Sequence, residues 1–435
     1  MRHTGSKTTR WIAGILVMLG AGCTLINSFD DVRQPSDGTY GEGKAPPDGS
    51  VSLEGGPAPG GAIIVGGEVE SDGDLLPYIL TVLNPTDGTE IGKRESMVVS
   101  AIRYDGLRDL WFIFENATGG NFTSGAYDKC ILHVRTLDLA TGKWTELSKL
   151  DVPPPRSNDS VGVLRERLGY VAAVDPDGGT LNFVTLDTSD PAKVSVVNQL
   201  PLAQAPIGVT GTRSTTGVGG TANIVQLNTG NCDANFCSIE ERPVLVPNSG
   251  SPILRDPIAM GFALRTAFTS YASFVGTNPR DIVLFPRTAA DAAAPSQAML
   301  FDPVTKGEDG LATNFFINDS VIRPAAVSEC ARVTFVVGAN SDLNVHAIPI
   351  PGDGGGTPTK VSTGHSGQSV YFEPSTATVL APFNQGGGFD FSAFRLKGTS
   401  DAPTLEKRDA TDWRPPKDLR PVVLGIREPL PIVCK

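Results

Sequence analysis

The sequence predicts an all-β protein, a β-propeller of six or seven four-stranded antiparallel blades. Three observations carry that prediction. Short β-branched and aromatic runs alternate with clusters of Gly, Pro, Asp and Asn, which is how strands and turns read. The chain holds 49 Gly and 34 Pro, punctuation too frequent for long helices, and no 3.6-residue apolar period persists beyond about ten residues. Strand pairs also recur at a spacing near 50 residues, a period that marks propeller blades.

The repeat is visible in six hairpin-like units: Val98–Phe114, Val161–Val174, Gly208–Leu227, Tyr271–Phe285, Ala325–Val337 and Ser369–Phe383. Their second strands start near Leu110, Gly169, Ala222, Asp281, Arg332 and Thr378, which are 59, 53, 59, 51 and 46 residues apart. A further strand follows most units, at Ile131–Leu139, Leu181–Leu186, Gln297–Phe301, Leu343–Ile348 and Phe391–Leu396. One small sheet cannot bury both its faces, whereas a closed ring of sheets does so and leaves only short edges. Apolar runs at 61–66 and 75–83 and at 420–426 and 431–434 have no unit of their own, and together they can complete a blade. Two stacked β-sandwich domains are the alternative architecture.

The chain divides into residues 1–22, 23–61 and 62–435. Met1 to Arg10 carries Arg2, Lys7 and Arg10 without an acid, Trp11 to Leu19 is apolar, and Gly20-Ala21-Gly22 is a small-residue exit. A basic start, a short apolar run and a small cleavage site make a secretory signal. The apolar run is about half the ~20 residues of a spanning helix. Residues 28–62 are rich in Gly, Pro, Ser and Asp and lack apolar periodicity, so they read as a flexible tether.

The segment Leu19-Gly20-Ala21-Gly22-Cys23 resembles the lipobox of bacterial lipoproteins, with its Leu one residue earlier than the usual pattern. The resemblance implies that the Cys23 thiol is acylated and becomes the mature N-terminus. Two or more acyl chains give stable membrane anchoring where one does not. Thr24 rather than an acid follows, as in lipoproteins sent to the outer membrane. The expected partners are therefore a membrane, through the lipid, and an envelope protein or glycan.

The first 22 residues hold three Lys and Arg and no acid, so 33 basic residues face 47 acidic ones in the mature chain, a net charge near −14. Such a chain gains nothing from phosphate backbones, which excludes nucleic acid as an expected partner. Five cysteines remain: Cys130, Cys232, Cys237, Cys330 and Cys434. Export permits disulfides. Cys232 and Cys237 flank a four-residue loop and are the expected pair; the pairing of the other three stays open. A zinc site lacks a second close Cys or His pair.

The first unit resembles a kelch repeat. Asp109-Leu-Trp-Phe-Ile-Phe114 matches the apolar strand before the kelch glycine pair, and Gly119-Gly120 follows four residues late. Tyr127 and Trp144 match the spaced aromatics, and Leu137-Asp138-Leu-Ala-Thr141-Gly142-Lys143-Trp144 matches the outer strand and its turn. The other units lack the glycine pair and the Trp. The resemblance implies a propeller without implying a kelch function.

No catalytic constellation stands out, and neither a cofactor nor a metal is expected. Of the three mature histidines, His133 and His346 sit inside apparent strands and read as structural or surface residues; His365 is the third. Gly364-His365-Ser366-Gly367-Gln368 lacks the final Gly and the strand-to-helix context of a nucleophile elbow. Asp175-Pro-Asp177-Gly178-Gly179 reads as a turn before it reads as a calcium loop. Asn116-Ala-Thr and Asn121-Phe-Thr match the glycosylation acceptor, which carries little meaning in a bacterial protein. The expected function is a non-catalytic binding or scaffold module of the cell envelope. The alternative is an envelope carbohydrate-active hydrolase or lyase, which needs convergent acid, base or metal groups at the ring centre.

Overall fold

The computed structural model describes residues 31–32, 60–71, 74–117, 130–156, 158–164, 166–173, 181–202, 206–213, 220–232, 237–247, 250–254, 256, 258–264, 270–274, 280–286, 296–301, 316–317, 320–328, 333–339, 343–349, 359–362, 370–385, 388–398 and 402–428, with side chains chiefly in 60–69, 78–117, 130–172, 181–202 and 370–428. Apart from the 3₁₀ turn Asn158–Ser160, every regular element among the described residues is a strand.

Among the described residues the strands form seven sheets, antiparallel except for one two-residue parallel pair in sheet III. Sheet I runs Val99–Asp105, Leu110–Asn116, Cys130–Asp138, Lys143–Val152. Sheet II runs Val161–Leu164, Arg167–Ala173, Leu181–Asp187, Ser195–Leu202. Sheet III is built on Pro206–Arg213, Gly220–Cys232 and Cys237–Val246. Sheets IV and V begin with Ser270–Phe274 and Ser320–Ser328. Sheet VI runs Tyr371–Glu373, Thr378–Gln385, Gly388–Gly398, Pro403–Lys407. The closing sheet takes its first strand, Leu419–Ile426, from the C-terminal part and the other three, Ile63–Ser71, Asp74–Leu83 and Glu90–Ser96, from the N-terminal part. The unassigned runs at 61–66, 75–83 and 420–426 thus meet in one sheet, while 431–434 lies outside the described residues.

The first strands contact one another in a closed cycle. Leu419–Ile426 touches Val99–Asp105, and contacts follow through the first strands of sheets II to VI back to Leu419–Ile426. This ring of radial sheets is a β-propeller.

Middle strands have both faces covered by neighbouring sheets. Leu110–Asn116 is therefore buried at six of its seven positions, and its first five residues, Leu110 to Phe114, read as an unbroken apolar run. Outer strands have one open face, so Ser195–Leu202 alternates strictly between exposed and half-buried residues. The core lies between sheets. Ile64, Leu80, Val82, Ile102, Tyr104, Trp111 and Ile113 fill the seam between the closing sheet and sheet I. Phe112, Phe114, Leu132, Tyr170 and Val184 fill the next. Each such side chain contributes about 1.5–3 kcal/mol by leaving water. At Gly425 a Cβ would collide with Ile102 and lie 3.0 Å from the Trp111 ring, so the closing strand approaches sheet I only because that position has no side chain.

Alternation sorts the connections to two ends of the ring. Links between first and second strands, and between third and fourth, leave from one end, here called the turn end; links between second and third strands leave from the other, the loop end. In sheet I the turn-end link is 106–109 and the loop-end link is 117–129. Two turn-end links share one design. Asp105 accepts hydrogen bonds from the Leu107 and Arg108 amides, at 3.0 and 3.3 Å. Glu373 accepts from the Ser375 and Thr376 amides, at 3.0 and 2.9 Å. The residues before the second strands, Asp109 and Ala377, have φ of 54° and 50°, a left-handed conformation that the acid-capped turn imposes. A two-residue strand, Asp31–Val32, lies parallel against Thr212–Arg213, at the turn end of sheet III.

Candidate functional site

A polar cluster that contains a buried histidine lies where sheet I meets the closing sheet. Four members come from sheet I: Glu115 on its second strand, His133 and Arg135 on its third, and Glu146 on its fourth. The fifth, Glu95, stands on the outer strand of the closing sheet. His133 and Arg135 are two apart, so they share a face, and antiparallel register sets Glu146 opposite Arg135. His133 and Arg135 are buried, while the three carboxylates are partly exposed.

The geometry is closed on itself. His133 Nε2 lies 2.8 Å from Glu115 Oε2, and Nδ1 lies 3.0 Å from Glu146 Oε2. Arg135 Nε donates to Glu146 at 2.9 Å and Nη1 to Glu95 at 2.6 Å. Neither His133 ring nitrogen is free to take a proton from a substrate, and Arg135 is committed to two carboxylates. The cluster ties three strands of one sheet to the edge of the next.

Other charges also join sheets. Arg103 donates to the Val161 carbonyl of sheet II at 2.7 Å and to Asn158 Oδ1 at 3.0 Å. Arg108 reaches the carbonyl and hydroxyl of Thr188. Arg408 holds Asp412 at 2.9 Å, reaches the carbonyls of Pro85 and Thr86 in the closing sheet, and stacks 5.1 Å from the Trp413 ring. Hydrogen bonds from Arg94 and Arg408 hold the Asp418 and Asp412 carboxyls below their ordinary range. Burial raises the Glu373 carboxyl, although Ser375 and Thr376 hydrogen bonds oppose it. Among the described residues no three His, Cys, Asp or Glu side chains are placed to hold a metal ion.

Of the residues singled out in the sequence, Cys23 lies outside the described residues. Cys232 and Cys237 are register partners at the end of a hairpin in sheet III, and their side chains are not described. His133 is the buried strand residue above; His346 pairs with Val336 and Lys360 in sheet V, its side chain also outside the description. His365, residues 364–368, residues 175–179 and Asn121 lie outside it as well. Asn116 ends a strand with its side chain buried. Cys130 is a buried free thiol, pushed up to about 12 by desolvation. The charged fasteners were not visible as motifs, because their partners come from other units. Only the acid five residues before a second strand, at Asp105 and Glu373, leaves a signal along the chain.

No protein-family model matches the sequence, and no curated protein matches it. Solved structures do. A Bacteroides uniformis protein provisionally assigned as a 6-phosphogluconolactonase aligns over 85% of this chain and 100% of its own, at 10% identity and a TM-score of 0.51. The β-propeller domain of the Trilobed protease from Pyrococcus furiosus, described as having an open velcro topology, aligns over 84% of this chain and 99% of its own, at 10% identity and a TM-score of 0.47. At such identity the first likeness speaks to the fold alone, and the fold it shows is a β-propeller.

Proposed function

We propose that the chain is a non-catalytic lipoprotein of the bacterial cell envelope. A lipid on Cys23 holds it to the outer membrane, and the propeller serves as a binding or scaffold module for an envelope protein or glycan. The observation that carries this reading is the Glu115–His133–Glu146 arrangement. It is the His–carboxylate set of the described residues, and both ring nitrogens are spent inside the fold, at 2.8 and 3.0 Å. The charged groups of the seams are fasteners, which leaves recognition to the strand connections. Trp144, which packs edge-on against Trp111 at 6.0 Å, supports the kelch-like reading of the first unit.

The test has two arms. Cell fractionation compares the native chain with Cys23→Ser: the native chain is expected in the outer-membrane fraction and the variant in the soluble fraction, and equal partition of both defeats the lipid anchor. The native protein is then immobilised and exposed to envelope extract. Retention of an intact protein or glycan supports the binding role, whereas release of shortened glycan fragments overturns it in favour of hydrolysis or lyase chemistry.

A further inference from the structure

We propose that the channel-facing edge of Pro206–Arg213, the first strand of sheet III, is a docking site for an extended polypeptide, which adds to the sheet as an innermost strand. The inference rests on the binding-module reading above and narrows the partner to protein. The edge acts in addition to the strand connections.

The edge is marked by what already sits on it. The first strands touch one another around the ring, so the side of each that faces away from its second strand lines the central channel. In six sheets the first strand ends the order on that side, among the described residues. In sheet III the order continues inward. Asp31–Val32 pairs with Thr212 and Arg213 on the side opposite Gly220–Cys232. It also touches Val161–Leu164, the first strand of sheet II, which sets it inside the ring of first strands. Its pairing is parallel, whereas Pro206–Arg213 and Gly220–Cys232 pair antiparallel, as successive strands of a blade do. Asp31–Val32 is therefore no part of the blade's own meander. It is a strand added from a distant part of the chain, which is the geometry of β-augmentation.

The backbone of Pro206–Arg213 suits that role. Its register with Gly220–Cys232 slips between Pro206 and Gly208 and again between Thr210 and Thr212, so Ile207 and Gly211 take no place in that ladder. Amides and carbonyls left out of one ladder need partners elsewhere. Gly208 and Gly211 have no Cβ to hold a second backbone off, and Pro206 has no amide to leave unsatisfied. The resident pairs with two of the eight residues of the strand. Two residues make few hydrogen bonds, and a segment running along the whole strand makes more. Pairing of this kind selects a polypeptide over a glycan, because a polypeptide repeats amide and carbonyl at the strand spacing.

The test follows hydrogen exchange of the full-length protein by mass spectrometry, at the amides of 207–213. Asp31→Pro together with Val32→Pro removes both amides of the resident strand. This double variant is expected to exchange at least ten-fold faster at 212–213, with Leu110–Asn116 unchanged as the sign that the ring stays folded. The probe is a synthetic, end-blocked peptide of residues 27–36 of this chain, which in the register of Asp31 with Thr212 sets 27–30 opposite 208–211. Added to the double variant, the peptide is expected to return 212–213 to the native rate and to slow 208–211 at least three-fold. Equal rates in the native and variant proteins overturn the seat of Asp31–Val32. Faster exchange that the peptide does not slow overturns the docking edge, while the lipid anchor and the retention test on envelope extract stand apart from both results. Peptide docking together with release of shortened glycan from that extract would overturn the binding-module reading and the protein partner, and leave the docking edge standing.

Discussion

Arg427 grips Asp109 through two contacts of 3.1 Å, from Nε to Oδ1 and from Nη2 to Oδ2, and joins the end of Leu419–Ile426 to sheet I. Its guanidinium also lies 5.6 Å from the centre of the Tyr104 ring, whose hydroxyl donates to Asp109 at 2.7 Å. Arg427→Ala is expected to cost about 1–2 kcal/mol, at the low end for a charge-assisted contact because Asp109 is half exposed. Urea titration of both proteins measures it; an unchanged midpoint shows that the clasp is idle.

The same contact sets a pH dependence. Burial raises the Asp109 carboxyl, but hydrogen bonds from Arg427 and Tyr104 outweigh it and leave the group below its ordinary 3.8. A depressed carboxyl adds stability that is present above the unfolded value and is lost as pH falls through the folded one. The difference between native and Arg427→Ala should hold steady from pH 7 to about 5 and shrink below about 4. A difference that grows on acidification contradicts the assignment.

Gly425→Val should be more damaging than Arg427→Ala. It drives a branched side chain into Ile102 and Trp111, and overpacking of this kind costs about 1–3 kcal/mol or more. Thermal unfolding followed by Trp fluorescence reports on this seam directly; a melting temperature equal to the native value disproves the close approach.

Arg135→Met leaves Glu95 and Glu146 facing each other without their shared cation. A loss of about 2–3 kcal/mol is expected, below the range for fully buried pairs because both carboxylates are partly exposed. Adding Glu95→Gln should return part of it. If the double variant is as unstable as the sum of the singles, the coupling is absent.

The thiols should divide in two. Cys130, raised to about 12 by burial, has no thiolate at neutral pH and should resist iodoacetamide until the protein unfolds. Cys232 and Cys237 stand opposite each other in register; such partners have Cα atoms about 4.5–5.5 Å apart, within the span of a disulfide. Peptide mapping without reductant should recover them linked, and two alkylated thiols in the native protein would refute the bridge.

The fold was largely legible in the sequence, and the reason is mechanical. Middle strands have two covered faces, so Leu110-Trp-Phe-Ile-Phe114 announces itself as an apolar run. Outer strands such as Ser195–Leu202 and Pro403–Lys407 bury one face or less, so no apolar run marks them in the sequence. The seam residues were hidden for another reason. Arg408 meets Pro85 across 323 positions and Arg427 meets Asp109 across 318, and no local spacing encodes a meeting that only ring closure creates. His133 could be placed in a strand, but nothing nearby announced Glu115 and Glu146 as its neighbours, because that register is set by two hairpins.

The mixed parentage of the closing sheet has a consequence for biosynthesis. A chain leaves the ribosome N-terminus first, so Ile63–Ser71 is made long before Leu419–Ile426 exists. At 5–20 residues per second, the interval is roughly 20–70 s. Throughout it, the edge of Ile63–Ser71 that will pair with Leu419–Ile426 is a bare row of amides and carbonyls beside apolar side chains, the kind of surface that recruits stray strands. Leu419–Ile426 is therefore the strand that ends the vulnerable period. A nascent chain stalled short of Leu419 is a horseshoe with a sticky lip, and it is a better client for a chaperone or protease than for its own partner.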